Sequence, residues 1–170
     1  MQLYDRWLQG ASNAKLNGII LIDLSAAFDL VNSEVLCQKL KIYGLDNHSV
    51  NWIKNYMEDR FQAVWIDHIL SDCIKVDVGV PQGSILGPLF FILFANDLPD
   101  SVESQLEEYA DDSTLTESSQ DIDVINTKLT ESCEHIKTWM EENRLCLNNG
   151  KTKLLTVSYT HLTLPTKRIV

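Results

Sequence analysis

Nothing in this 170-residue sequence stays apolar long enough to cross a membrane. The longest apolar run, residues 85–95, is 11 residues and includes Gly87 and Pro88, whereas a spanning helix needs roughly 20. The first ten residues lack the basic start and apolar block of a secretion signal. The expectation is a soluble, intracellular protein with no membrane partner. Cysteine is scarce: Cys37, Cys73, Cys133 and Cys146 include no close pair, which excludes a disulfide framework and a paired-cysteine zinc knuckle and leaves buried free thiols. The histidines lack partners at ligand spacing, so no zinc is expected. Basic charge is also short, with 14 Lys and Arg against 24 Asp and Glu for a net of −10. A phosphate-binding surface needs the reverse. Repeats, low-complexity tracts and Gly/Ser/Pro-rich linkers are absent, so the chain reads as one domain.

What is present is a core-forming composition, 45% apolar, which excludes disorder. Gly18-Ile19-Ile20-Leu21-Ile22-Asp23 is continuously apolar and stops at a carboxylate, as a strand buried on both faces does at a sheet's edge. Asn32 can cap a helix carrying Leu36, Leu40 and Tyr43 that Gly44 ends, and Val50, Ile53 and Met57 mark a second helix. Alternation over residues 61–66 and at Ile74, Val76 and Val78 predicts a hairpin turning around Ser71-Asp72, with one solvated face. Ser84 can cap the next helix, which is apolar nearly all round and therefore expected to be buried. Short strands flank Asp111-Asp112. Ile125, Leu129, Cys133, Ile136 and Met140 predict the longest helix. Leu145 and Leu147, then Leu154, Leu155 and Val157, predict a last strand pair around the turn Asn148-Asn149-Gly150. This order describes an α+β fold, an antiparallel sheet with helices packed on one face.

Asp23 and Asp111-Asp112 each end an apolar strand, and adjacent central strands would bring all three carboxylates to one edge. So placed, they repel unless cations neutralise them. Mg²⁺ is the natural partner, being a hard ion that takes oxygen ligands. Two such ions about 4 Å apart would serve phosphoryl transfer. The plainer alternative is that these residues terminate strands and face water. For Asp23 alone that alternative would be preferred; the apolar flanks of both sites favour the metal.

Three motifs carry a resemblance. Leu21-Ile22-Asp23-Leu24-Ser25-Ala26-Ala27-Phe28-Asp29, then Gly79-Val80-Pro81-Gln82-Gly83-Ser84-Ile85-Leu86-Gly87-Pro88-Leu89, then Tyr109-Ala110-Asp111-Asp112 resemble the successive palm motifs of reverse transcriptases, nearest to the LINE-type, non-LTR retrotransposon variant. Asn96-Asp97-Leu98-Pro99, Leu147-Asn148 and Lys151-Thr152 extend the likeness, which covers residues 18–157. It implies the palm of a right-hand RNA-directed DNA polymerase using two Mg²⁺ ions, with Mn²⁺ as an alternative. Asp23, Asp111 and the carbonyl of Leu24 would be metal ligands, and Asp112 an auxiliary carboxylate. Phe28 would be the wall that excludes a 2′-hydroxyl, and Gln82 and Gly83 would line the nucleotide pocket; ordinary core packing and a turn before a helix are the plainer readings of these positions. Lys151 would donate a proton to the leaving pyrophosphate, with Lys153 competing for that role. The implied partners are an RNA template, a DNA primer, deoxynucleoside triphosphates and the rest of a parent polyprotein: fingers, thumb and, as one candidate part, an endonuclease.

Residues 1–157 are thus expected to be the palm portion, with fingers and thumb missing; their basic surfaces would lie in those parts, which reconciles the acidic charge with a nucleic-acid enzyme. Ser113 replaces the threonine usual after the acidic pair. Residues 158–170 do not continue the resemblance and read as a foreign tail from an adaptor or vector. Two other classes compete. One is a catalytically silent palm module that only binds RNA or a partner chain, against which stand the intact carboxylates. The other is a phosphohydrolase built on Asp23, which lacks a second acidic residue at Ser25.

Overall fold

The computed structural model of the chain describes residues 15–110, 112–148, 150–157 and 167–168. In chain order the elements are β1 (Leu16–Asp23), α1 (Ala27–Leu30), α2 (Ser33–Ile42), α3 (Asn47–Met57), β2 (Arg60–Gln62), β3 (Trp65–Ile66), β4 (Ile69–Leu70), β5 (Ile74–Val76), α4 (Leu86–Ala95), a 3₁₀ turn (Pro99–Ser101), β6 (Gln105–Tyr109), β7 (Asp112–Ser119), α5 (Ile122–Glu142), β8 (Lys153–Val157) and β9 (Lys167–Arg168). They form two compact units, one from the residues up to Ser25 and from Asp97 onward, the other from Ala26–Asn96. No helix among the described residues is long and apolar enough to cross a membrane.

The first unit is a five-stranded antiparallel sheet in the order β6-β7-β1-β8-β9. Its centre is β1, whose Ile19, Ile20 and Ile22 are buried. Helix α5 covers β1 and β7. Asp121 caps its start by accepting a bond from the Asp123 N–H at 2.9 Å, and Ile125, Leu129, Ile136 and Met140 form its buried stripe. Gly18 lets the helix approach: a Cβ there would run into the Ile125 and Leu129 side chains.

The predicted partner of β8 is corrected. It does not form a hairpin with Leu145 and Leu147; both segments lie along β1, Leu147 bridging Leu24 and β8 pairing with residues 17–21. An uninterrupted register would set Leu21 against Gly150, whereas it faces Lys153. The 148–152 turn is therefore an excursion within one edge. β1 attracts both segments because it offers them a free ladder and an apolar face.

The second unit packs α2, α3 and α4 around Leu36, Leu40, Val50, Ile53, Phe90 and Phe94. Asn32 caps α2 by accepting from the Glu34 and Val35 N–H groups at 3.0 and 3.2 Å, as the sequence predicts. Asp46 caps α3, and the Ser49 bonds hold its carboxyl below the usual value. Ser84 accepts from the Gly87 N–H at 2.9 Å at the head of α4. Full burial of α4 is not found: Phe90, Phe91 and Phe94 are buried, but Leu89 is 48% and Ile92 57% exposed. The helix presents one apolar face to the unit's core and another outward.

The hairpin also differs. β2 pairs with β5, and inside them β3 pairs with β4 across Asp67-His68, both left-handed at φ 45° and 66°. Consecutive positive φ values make the tight turn whose twist matches paired strands, so the chain reverses there. Ser71 instead bonds back to Val64, its N–H donating to the Val64 carbonyl and its Oγ accepting from the Val64 N–H, both at 2.9 Å. The expected single solvated face is wrong too, since Phe61, Trp65, Ile66, Ile69, Leu70 and Ile74 are all exposed; two short two-stranded ribbons have no second layer to cover either side. Of the cysteines only Cys37 is buried, Cys133 is intermediate, and Cys73 and Cys146 are exposed. The last two lie outside helices and strands, where no apolar face takes them in.

Candidate active site

The register of the central strands sets the site. β1 and β7 run antiparallel with Asp23 directly opposite Asp112. Side chains so paired have Cβ atoms about 4.5–5.5 Å apart, and like charges there destabilise the sheet. The two carboxylates line one cavity of about 530 Å³ with Leu21, Ser113, Gly150, Lys151 and Lys153. Asp111 lies outside the described residues. Its neighbour Ala110 turns at φ 56°, a left-handed conformation that costs a non-glycine residue roughly 1–2 kcal/mol, and the strain falls at the end of β6, just before the site.

Asp23 is held from the far edge of β1. Asn148 donates from its backbone N–H to the Asp23 carbonyl and from Nδ2 to Oδ2, each at 2.9 Å. The Lys151 ammonium stands 3.6 Å from the same Oδ2, on a side chain 70% exposed. The Asn148-Asn149-Gly150 turn is legible in the sequence, but the residue that its Asn148 reaches is not. Leu24, the expected carbonyl ligand, is buried and bridged to Leu147.

A divalent cation fits this donor set, because Asp23 and Asp112 offer hard carboxylate oxygens and repel one another without a counter-charge. Among the described residues no three His, Cys, Asp or Glu side chains cluster to hold a metal; Asp23 and Asp112 bring two carboxylates to the cavity.

The remaining predicted residues belong to the second unit. Phe28 is half-buried and stacks on Phe91, ring centroids 4.6 Å apart. Gln82 is exposed and donates from Nε2 to Asp29 Oδ1 at 2.6 Å. Gly83 adopts φ 77° with no atom within 4 Å of where a Cβ would stand, so its backbone is open to an approaching molecule. Sequence reasoning missed Asp29 and Arg60. Arg60 donates to the Met57, Val78 and Gly79 carbonyls, fastening the loop that carries Gln82. Asp29, Arg60 and Gln82 line a second cavity of about 830 Å³ with Lys75, whose ammonium Asp77 and then Asp59 hold above the usual lysine pKa.

Comparison with known proteins identifies the family. The family profile described as reverse transcriptase (RNA-dependent DNA polymerase) matches residues 5–165. A probable RNA-directed DNA polymerase from transposon BS of Drosophila melanogaster is 32% identical over 154 residues, covering 85% of this chain and 17% of that protein. The RNA-directed DNA polymerase from mobile element jockey of the same fly is 30% identical, covering 76% and 15%. The chain thus spans a small part of the length of these relatives. Among solved structures, an apo telomerase from Candida tropicalis superposes with a TM-score of 0.68 at 16% identity, covering 99% of this chain and 40% of that one; this likeness concerns the fold.

Proposed function

Because the chain belongs to the reverse transcriptase family, in its LINE-type, non-LTR retrotransposon branch, we propose that it is the palm portion, residues 1–157, of an RNA-directed DNA polymerase whose active centre is the facing pair Asp23 and Asp112, completed by Asp111. The observation that carries this reading is the β1–β7 register, which sets two carboxylates directly opposite each other at one end of the sheet. Members of the family generally depend on a divalent metal. Asp23, Asp111 and the Leu24 carbonyl would hold two Mg²⁺ ions, or Mn²⁺, which when bound would activate the primer 3′-hydroxyl and offset charge on the leaving pyrophosphate. Asp112 would add negative charge beside them. Lys151 carries a mobile proton at Nζ for the departing pyrophosphate, and Lys153, which lines the same cavity, is the alternative donor.

In the second unit, Gln82 and Gly83 would meet the incoming nucleotide, Asp29 holding the Gln82 amide in place. Phe28 would stand under its sugar, kept rigid by Phe91. An RNA template, a DNA primer and deoxynucleoside triphosphates are the substrates this assigns. Residues 158–170 are read as a foreign tail; 158–166 and 169–170 lie outside the described residues, and the backbone at Lys167–Arg168 pairs with β8.

The test is primer extension on an RNA template with Mg²⁺, using these residues within a polypeptide of their relatives' length. Magnesium-dependent synthesis of DNA is expected; its absence in a folded protein would sink the reading. Phe28→Val should let ribonucleotides compete, lowering the deoxynucleotide preference in kcat/KM by about 10- to 200-fold, the range for shape changes in a pocket. Losing the Phe91 stack should also cost about 0.5–1.5 kcal/mol. An unchanged preference in a folded variant would leave Phe28 as core alone.

A further inference from the structure

We infer that Asn148 is the positioning residue for the Asp23 carboxylate, fixing which oxygen it offers to a metal ion. The inference rests on the proposed metal site. A carboxylate at a strand end can turn about two side-chain bonds, and only an outside donor fixes it. Asn148 supplies two anchors to one residue: its backbone N–H takes the Asp23 carbonyl and its Nδ2 takes Oδ2, each at 2.9 Å. The main chain that carries the donor is held in turn. The Asn148 carbonyl accepts from the Lys151 N–H at 3.1 Å and from the Thr152 N–H and Oγ1, both at 3.0 Å, and Thr152 is buried.

The chemistry suits orientation rather than neutralisation. An amide NH₂ pointed at a carboxylate can only donate, and being uncharged it leaves the full negative charge for a cation. Both contacts to Asp23, from Asn148 and from Lys151, fall on Oδ2; among the described residues no donor reaches Oδ1. The long exposed lysine can swing away, whereas the short Asn148 side chain springs from a main chain bonded into the turn. Partners of this kind, which orient a ligand without touching the metal, typically change metal affinity by 10- to 100-fold when removed.

The test uses Mn²⁺ as the probe and measures its binding to the whole chain by electron paramagnetic resonance, beside thermal melting. Asn148→Ala and Asn148→Ser remove the amide but keep the backbone N–H, and each should raise the Mn²⁺ Kd about 10- to 100-fold at a melting temperature near the parent's. A Kd within about twofold of the parent's in either folded variant overturns the inference, leaving Asn148 a turn residue. Asp23→Asn separates the two readings: if it also leaves Mn²⁺ binding unchanged, the metal site itself falls, and the inference with it. Should both Asn148 variants unfold, the unaltered chain still decides, since Mg²⁺ titration should shift the Asn148 side-chain amide resonance. No shift at saturating Mg²⁺ overturns the proposal.

Discussion

Asp23→Asn is expected to abolish primer extension while leaving the sheet intact. Asparagine is nearly isosteric with aspartate, and its Oδ1 can still accept the Asn148 Nδ2 that now bonds Oδ2. The Asp23 backbone keeps its place too, because the Asn148 N–H reaches its carbonyl. What disappears is one of two facing negative charges. Removing that repulsion should leave stability level or slightly raised, while the lost metal contact is worth several kcal/mol in the transition state. At about 1.4 kcal/mol per tenfold, this is a fall in kcat of roughly a thousandfold or more. The measurement is single-turnover extension together with thermal melting. Activity near the parent's would remove Asp23 from the centre, whereas loss of both activity and fold would make it structural. Asp112→Asn should reduce activity less, in keeping with an auxiliary role.

Gly79→Ala should be the most destabilising single-methyl addition in the second unit. Gly79 has φ 85°, and a Cβ would stand 2.7–2.9 Å from the backbone O, Cα and C of Asp29. Backbone cannot retreat as a side-chain tip can. The segment is pinned on both sides: the Gly79 N–H donates to the Val31 carbonyl at 2.9 Å, the Val80 N–H to the Phe28 carbonyl at 2.8 Å, and Arg60 grips the Gly79 carbonyl. The left-handed backbone costs about 1–2 kcal/mol and overpacking a further 1–3, so roughly 2–5 kcal/mol is expected from a total that for most domains is about 5–15. Gly83→Ala is the internal control. It shares the left-handed backbone, at φ 77°, but meets nothing within 4 Å, so only the conformational cost of about 1–2 kcal/mol applies. Urea unfolding of the two variants separates steric collision from backbone strain; equal losses would refute the collision.

Much of the architecture is legible in the sequence where local pattern and tertiary need coincide. Helices α2, α3 and α5 each bury one stripe, β1 is buried on both faces, and the Asn32 cap follows from short-range chemistry. That Asp23 and Asp112 both lie at strand ends is legible, although β7, which Asp112 opens, is largely polar and not the apolar strand expected. The other failures are of partnership. Asp67-His68 contains no glycine or asparagine to announce a left-handed turn, and the apolar circumference of α4 does not tell which side finds a neighbour. Asn148 and Asp23 are 125 positions apart, so no local pattern joins them.

That separation also orders events during synthesis. The sheet's central strand is made first, yet β7 and β8, which pair with it, come from the last third of the chain. At about 5–20 residues per second, 96 residues must follow Asp23 before β7 is complete at Ser119. For some 5–20 s the Gly18-Ile19-Ile20-Leu21-Ile22 segment has neither edge paired, and such edges template aggregation. The Asn148 contact comes later still, with the turn before β8. A nascent chain can thus be long, partly folded and already hydrophobic at its centre while the carboxylate pair has yet to form, so chaperone demand is greatest just before the molecule acquires its chemistry.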